Sequence, residues 1–76
     1  EINSVVDDVR GKLALLKTVY SGGKMSELDG LTVEFDDWWF NVRPSQTEPL
    51  LRLNLEAKTK EMMEEKTEEV LKIIRS

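Results

Sequence analysis

The sequence holds no cysteine and no histidine. Without cysteine there is no disulfide staple, no thiolate nucleophile and no zinc–thiolate site. Without histidine the commonest general base and the commonest metal-ligating side chain are both missing. Proline is scarce as well: the only two, Pro44 and Pro49, fall in one short stretch. No apolar run is long enough to cross a bilayer and no secretory signal is present, so a cytoplasmic setting without membrane contact is expected. Basic residues are in the minority, 11 against 15 acidic ones for a net charge of -4. That balance disfavours nonspecific binding to nucleic acid, which depends on surplus Lys and Arg neutralising phosphates. It is compatible with one phosphate at one local site.

What is present reads as a single globular domain over residues 1–76, 34% charged and 39% hydrophobic. A domain of this size buries only about 60% of the surface its unfolded chain exposes, so modest stability is expected. The start at Glu1 rather than a methionine points to a piece of a larger protein.

The opening "EINSVV" suits a short strand with Ile2, Ser4 and Val6 on one side. Asp7 and Asp8 follow where a helix would begin, and their carboxylates suit its free N–H groups and positive dipole end. Val9, Leu13, Leu16 and Tyr20 then share one helical face, and Gly22-Gly23 is expected to close the helix through a left-handed C-cap. "MSEL" is a candidate short strand, and Asp29-Gly30 is a hairpin-turn signal. Leu31, Val33 and Phe35 alternate with polar residues, and Asp36-Asp37 turns the chain. Trp38, Phe40 and Val42 alternate with Trp39, Asn41 and Arg43. Leu51, Leu53, Leu55 and Ala57 alternate with Arg52, Asn54, Glu56 and Lys58, the clearest period of two in the chain. Parity therefore predicts a buried Trp38 and a more exposed Trp39.

From Thr59, a candidate N-cap, the period becomes helical. Met63, Thr67, Val70 and Ile74 form a stripe flanked by Met62, Leu71 and Ile73, and Lys60–Glu64 and Glu68–Lys72 are spaced to pair. Two amphipathic helices and a half-apolar sheet call for each other. The expected fold is α+β: a two-layer sandwich of a mainly antiparallel sheet of about four strands, in β-α-β-β-β-α order, with both helices on one face.

The polar loop "RPSQTEP" lies between the two best strands. Pro44 and Pro49 stiffen it at both ends. Arg43 offers a planar fork of donors that fits phosphate. Ser45 and Thr47 offer hydroxyls, Gln46 an amide, and the backbone N–H groups of Ser45 to Glu48 lie outside the strand ladders. Convergent donors on a stiff loop suit an anion. On these residues alone the simpler reading is a proline-bracketed turn with Arg43 paired to a surface carboxylate such as Glu48. Elsewhere Asp7-Asp8 reads as a cap and Asp36-Asp37 as a turn. Glu61, Glu64, Glu65, Glu68 and Glu69 read as a solvated helix face rather than a metal site.

The run "DGLTVEF…WWFNVRPSQTEPLLRLNLEA" strongly resembles the C-terminal domain of the α-D-phosphohexomutases, the phosphomannomutase/phosphoglucomutase family. The resemblance covers nearly the whole chain and is most specific from Asp29 to Ala57. It implies a TATA-box-binding-protein-like arrangement and a C-terminal domain excised from a multidomain isomerase. In such mutases a phosphoserine in the first domain passes its phosphoryl group to one end of a hexose phosphate. The bisphosphate reorients, and the other phosphate returns to the serine, assisted by magnesium on an aspartate-rich loop. The C-terminal domain holds the phosphate that is not reacting. The implied ligands are Arg43, Ser45, Gln46 and Thr47, with Pro44, Glu48 and Pro49 shaping the loop. Gln46 stands where the family more often has asparagine or glycine, which leaves its backbone N–H as the contact carried over. No catalytic residue and no metal ligand is implied in this chain, and the fragment alone is expected to be inactive. The implied partners are a phosphosugar (hexose 1-phosphate, 6-phosphate or bisphosphate) and the other domains of the parent.

Two other readings belong to different classes. One is a free-standing regulatory or scaffold module that binds a small metabolite, which the motif disfavours. The other is an RNA-binding sheet with Trp38 or Trp39 as a stacking platform, which the charge balance disfavours. A reading frame continuing upstream with a serine and an aspartate-rich loop would separate the mutase domain from the free-standing module.

Overall fold

The computed structural model describes residues 1–76 as a two-layer α+β sandwich. The elements are β1 (Ile2–Val5), α1 (Val9–Val19), β2 (Lys24–Ser26), β3 (Leu31–Glu34), β4 (Trp38–Pro44), β5 (Leu50–Ala57) and α2 (Lys60–Ile74). The sheet is antiparallel throughout, in the order β1-β5-β4-β3-β2. It has five strands where about four were expected. The additional one is β2, from the "MSEL" segment, an edge strand with all three residues exposed. β1 and β2 lie at opposite edges, so α1 carries the chain from one side of the sheet to the other.

The period of two survives into three dimensions. Trp38, Phe40 and Val42 of β4 are buried, as are Leu31 and Val33 of β3 and Leu51 and Leu53 of β5. They pack in one cluster with Leu16 and Tyr20 from the α1 side and Val70 and Ile74 of α2. Trp38 is 8% exposed, whereas Trp39 is only half-buried. The register follows parity: Phe40 opposes Leu55 and Val42 opposes Leu53. Four of the five aromatic side chains converge in this layer. Tyr20 meets Trp38 and Phe40 edge-on at 5.6 and 5.1 Å, and Phe35 stacks on Trp38 at 4.8 Å. Trp39 alone stands on the open face. Its cross-strand neighbours are Glu34 and Glu56, which would repel a nucleic-acid backbone rather than attract it.

Both expected N-caps form. The Asp8 carboxylate accepts from the Gly11 N–H at 2.9 Å, and the Thr59 hydroxyl accepts from the Met62 N–H at 3.1 Å. The C-terminus of α1 differs from expectation. Neither Gly22 nor Gly23 is left-handed, since the one positive φ in the chain belongs to Gly30. The helix ends instead with the Tyr20 N–H donating to the Leu16 carbonyl and the Gly23 N–H to the Tyr20 carbonyl. Gly23 is required for space: a Cβ there would stand 2.5 Å from Val33 Cγ1 and 2.8 Å from Phe35 Cζ. The helix-surface pairs of α2 differ as well. The ion pair formed is Lys66–Glu69 at 3.3 Å, not Lys60–Glu64 or Glu68–Lys72. Glu69 is already fixed by the Tyr20 hydroxyl at 2.8 Å, and Lys66 also lies 5.1 Å from the centre of the Trp38 ring, so both partners are anchored to the core. Met63 sits at the rim, 37% exposed, while Val70 and Ile74 carry the buried part of the stripe.

Phe40 makes no contact with solvent. Phe40→Ala is expected to cost about 3–5 kcal/mol, close to the whole stability of a small domain, so circular dichroism should find this variant largely unfolded at room temperature. Trp39→Ser, on the open face, should retain a cooperative urea transition. A folded Phe40→Ala beside an unfolded Trp39→Ser would reverse the assignment of faces.

Burial of Tyr20 raises its phenol pKa well above the ordinary value of 10.0, reinforced by its hydrogen bond to Glu69 and by the charge of Glu69. The neutral phenol is therefore favoured in the folded protein. Its contribution is complete below about pH 10, where the unfolded phenol is also protonated, and is lost as pH rises above that value. Thermal melts should show falling stability above about pH 10. The Tyr20→Phe variant, less stable at neutral pH, should show a shallower alkaline decline.

Candidate functional site

The β4–β5 connection brings polar side chains from several elements to a common space. β4 runs through Pro44 and β5 resumes at Leu50, so the connecting residues are Ser45 to Pro49. The ladder persists across the base of the loop, where the Ser45 N–H donates to the Leu50 carbonyl at 3.0 Å. Inside the loop the Ser45 hydroxyl oxygen accepts from the Thr47 and Glu48 N–H groups, each at 3.3 Å, and lies 3.5 Å from the Thr47 hydroxyl. The Leu50 N–H closes back onto the Glu48 carbonyl at 2.8 Å, and the Pro49 carbonyl takes the Val6 N–H at 2.9 Å. The loop is thus stiffened by its own hydrogen bonds as well as by its prolines. Of the four backbone donors from Ser45 to Glu48, only that of Gln46 lacks a protein partner. The sequence pattern had left all four free. The reason is local: a serine after the strand turns its oxygen onto the N–H groups two and three residues on.

Arg43, Pro44, Ser45, Gln46 and Thr47 line a cleft of about 530 Å³, joined by Asp29, Gly30 and Arg52. No hydrophobic residue lines it. Glu48 and Pro49 lie outside it and act on the backbone of the loop. Arg43 is not paired with Glu48. Its Nη1 donates to the Asp29 carboxylate, at 3.2 Å to Oδ2 and 3.4 Å to Oδ1. Asp29 comes from the β2–β3 turn, held in place because Gly30 adopts a φ of 72° and because Asn41 Nδ2 donates to the Asp29 carbonyl at 2.8 Å. A Cβ on Gly30 would meet Arg43 Cγ and the Val42 carbonyl, both at 2.6 Å, so this glycine also makes room for the arginine stem.

Arg52 is the residue that reading the loop motif overlooked. It pairs directly with Arg43 across the β4–β5 ladder and lines the same cleft. Its Nε is buried with no hydrogen-bond partner, and it has no carboxylate partner among the chain's ion pairs. Like charges directly opposite in an antiparallel pair are unfavourable, and an unpaired buried guanidinium donor is costly. Two arginines and one aspartate leave a surplus positive charge beside a free backbone N–H. The arrangement can take an oxyanion. No three or more carboxylates converge in the chain.

Residues 1–73 match the family model described as "Phosphoglucomutase/phosphomannomutase, C-terminal domain", and the chain belongs to that family. A phosphomannomutase of Methanocaldococcus jannaschii is 46% identical over 74 residues, covering 97% of this chain and 16% of the relative. "Phosphohexose mutases" of Xanthomonas campestris is 40% identical over 79 residues, covering 99% of this chain and 17% of the relative. A phosphomannomutase of Vibrio cholerae is 51% identical over 51 residues, covering 66% of this chain and 11% of the relative. The chain therefore spans about one sixth or less of the length of these relatives.

The Arg43–Asp29 pair is exposed, with side chains 42% and 77% accessible, so it contributes little to stability. Arg43→Ala should shift the melting temperature by no more than a few degrees. A drop comparable with that of a core truncation would show that Arg43 is there to hold the fold.

Proposed function

We propose that this chain is the phosphate-holding C-terminal domain of a phosphohexomutase. In this reading the β4–β5 loop grips the phosphate of a hexose phosphate that is not reacting while the parent enzyme interconverts 1-phosphate and 6-phosphate. The observation that carries it is the pair of arginines facing each other across β4 and β5, with Arg52 Nε buried and unpaired. Such a pairing is unfavourable in an empty cleft and favourable around a phosphate. Arg43 and Arg52 supply charge and planar forks of donors. The Gln46 N–H supplies a fixed donor, and the hydroxyls of Ser45 and Thr47 supply donors that can rotate toward the ligand.

The chain contributes binding and orientation only. Phosphoryl transfer, with its serine nucleophile and its magnesium, is assigned to other domains of the parent. No three or more carboxylates converge in this chain. The partners in this reading are the phosphosugar and those other domains, and the proposed setting is the cytoplasm. No helix is long and apolar enough to cross a membrane.

Binding by the isolated chain should be weak. A charge-assisted hydrogen bond contributes about 1.5–3 kcal/mol and a neutral one about 0.5–1.5, and most of that is cancelled by lost translational freedom and desolvation. A dissociation constant of about 1 mM or weaker is expected. In the parent, closure of the other domains onto the ligand would tighten it. In an amide chemical-shift titration, glucose 1-phosphate and mannose 1-phosphate should move the signals of Arg43 to Thr47. Inorganic phosphate should move the same signals, because the loop reads the phosphate and not the sugar. Arg43→Ala should abolish the response. A silent loop at tens of millimolar ligand, with shifts elsewhere, would overturn the reading.

A further inference from the structure

One carboxylate stands in the cleft, and its geometry suits a placeholder. Both oxygens of Asp29 address a single nitrogen, Arg43 Nη1, at 3.2 and 3.4 Å. The Nε and Nη2 donors of the same guanidinium have no protein partner. The Asp29 side chain is 77% exposed, so it is free to swing into solvent. The turn that carries it is fixed by other atoms: the Gly30 backbone and the Asn41 bond to the Asp29 carbonyl. Its carboxylate is therefore not needed to shape the turn.

We propose that Asp29 is the resident counter-ion of the cleft, an affinity-setting residue that neutralises Arg43 while the cleft is empty and yields to an arriving phosphate. The proposal rests on the phosphate reading of the loop given above. Two arginines on neighbouring strands repel each other when no anion is present, and Asp29 offsets that repulsion. An incoming phosphate must break the Asp29–Arg43 contact, and a dianion then lies beside the displaced carboxylate. Both effects weaken the grip. When the phosphate leaves, Asp29 takes Arg43 back, which favours release. A domain that must let go of one phosphate and receive another gains from a grip that is not too tight.

The test is Asp29→Asn in this same chain, titrated with inorganic phosphate and followed by the amide signals of the loop. Asparagine before glycine remains a good turn sequence, so the hairpin should keep its shape. The variant should bind phosphate about three- to tenfold more tightly at low ionic strength. The gain should shrink in about 500 mM sodium chloride, where screening acts within a few ångströms. Asp29→Ala should change affinity in the same direction. Equal or weaker binding by both variants would overturn the proposal and make Asp29 an orienting partner of Arg43. A gain that ignores salt would also overturn it, because the effect would then be one of loop shape. If the wild-type chain itself fails to bind phosphate, the loop reading falls and this proposal with it. If the wild type binds and the variants gain nothing, this proposal alone falls.

Discussion

The register between β4 and β5 decides both faces of the protein at once. Phe40 opposite Leu55 and Val42 opposite Leu53 put the apolar row under the helices. The same pairing, read on the other face, puts Arg43 opposite Arg52. A slip of β4 by one residue would carry Arg43 into the core and Phe40 into solvent. Such a slip would sacrifice several buried side chains together, so the core holds the register far more firmly than the cleft could. The cleft inherits its geometry from that rigidity. Its side chains are therefore not needed to hold the register.

The layers, the helix-covered face and the two N-caps were legible in the sequence because each rests on short-range rules. A period of two over Leu51 to Ala57 has one buried solution. Asp8 and Thr59 precede helical patterns and have few other uses. The loop was legible as a motif because its prolines and its arginine are unusual side by side between strands. The family match carries that reading over nearly the whole chain.

What was not legible depends on which distant residues meet. Gly23 looked like a helix stop, but its lack of a side chain serves the approach of Val33 and Phe35 from β3 and the turn after it. Glu69 read as part of a solvated helix face, yet the Tyr20 hydroxyl donates to it from the end of another helix. The partner of Arg43 was sought within its own loop at Glu48, and the structure supplies Asp29 from the preceding hairpin. Arg52 was visible in principle. Alternation puts it on the open face, and a short connection between two antiparallel strands brings it level with Arg43. Only the exact register, held by the core, makes the two directly opposite.

That opposition has a physical meaning beyond geometry. Like charges facing each other in an antiparallel pair destabilise it by up to about 1 kcal/mol, and a buried donor without a partner adds to the cost. A sequence tuned for stability alone would place a carboxylate or threonine at one of the two positions. Elsewhere on the open face the chain follows that rule: Asn41 lies between Thr32 and Asn54, and its amide bonds the Thr32 hydroxyl at 3.0 Å. The departure is confined to the row beside the loop. Asp29 reduces the cost without removing it, since it reaches Arg43 and leaves Arg52 uncompensated. The unfavourable contact in one row stands beside satisfied contacts in the next, and that contrast supports the proposed anion-holding role of the cleft.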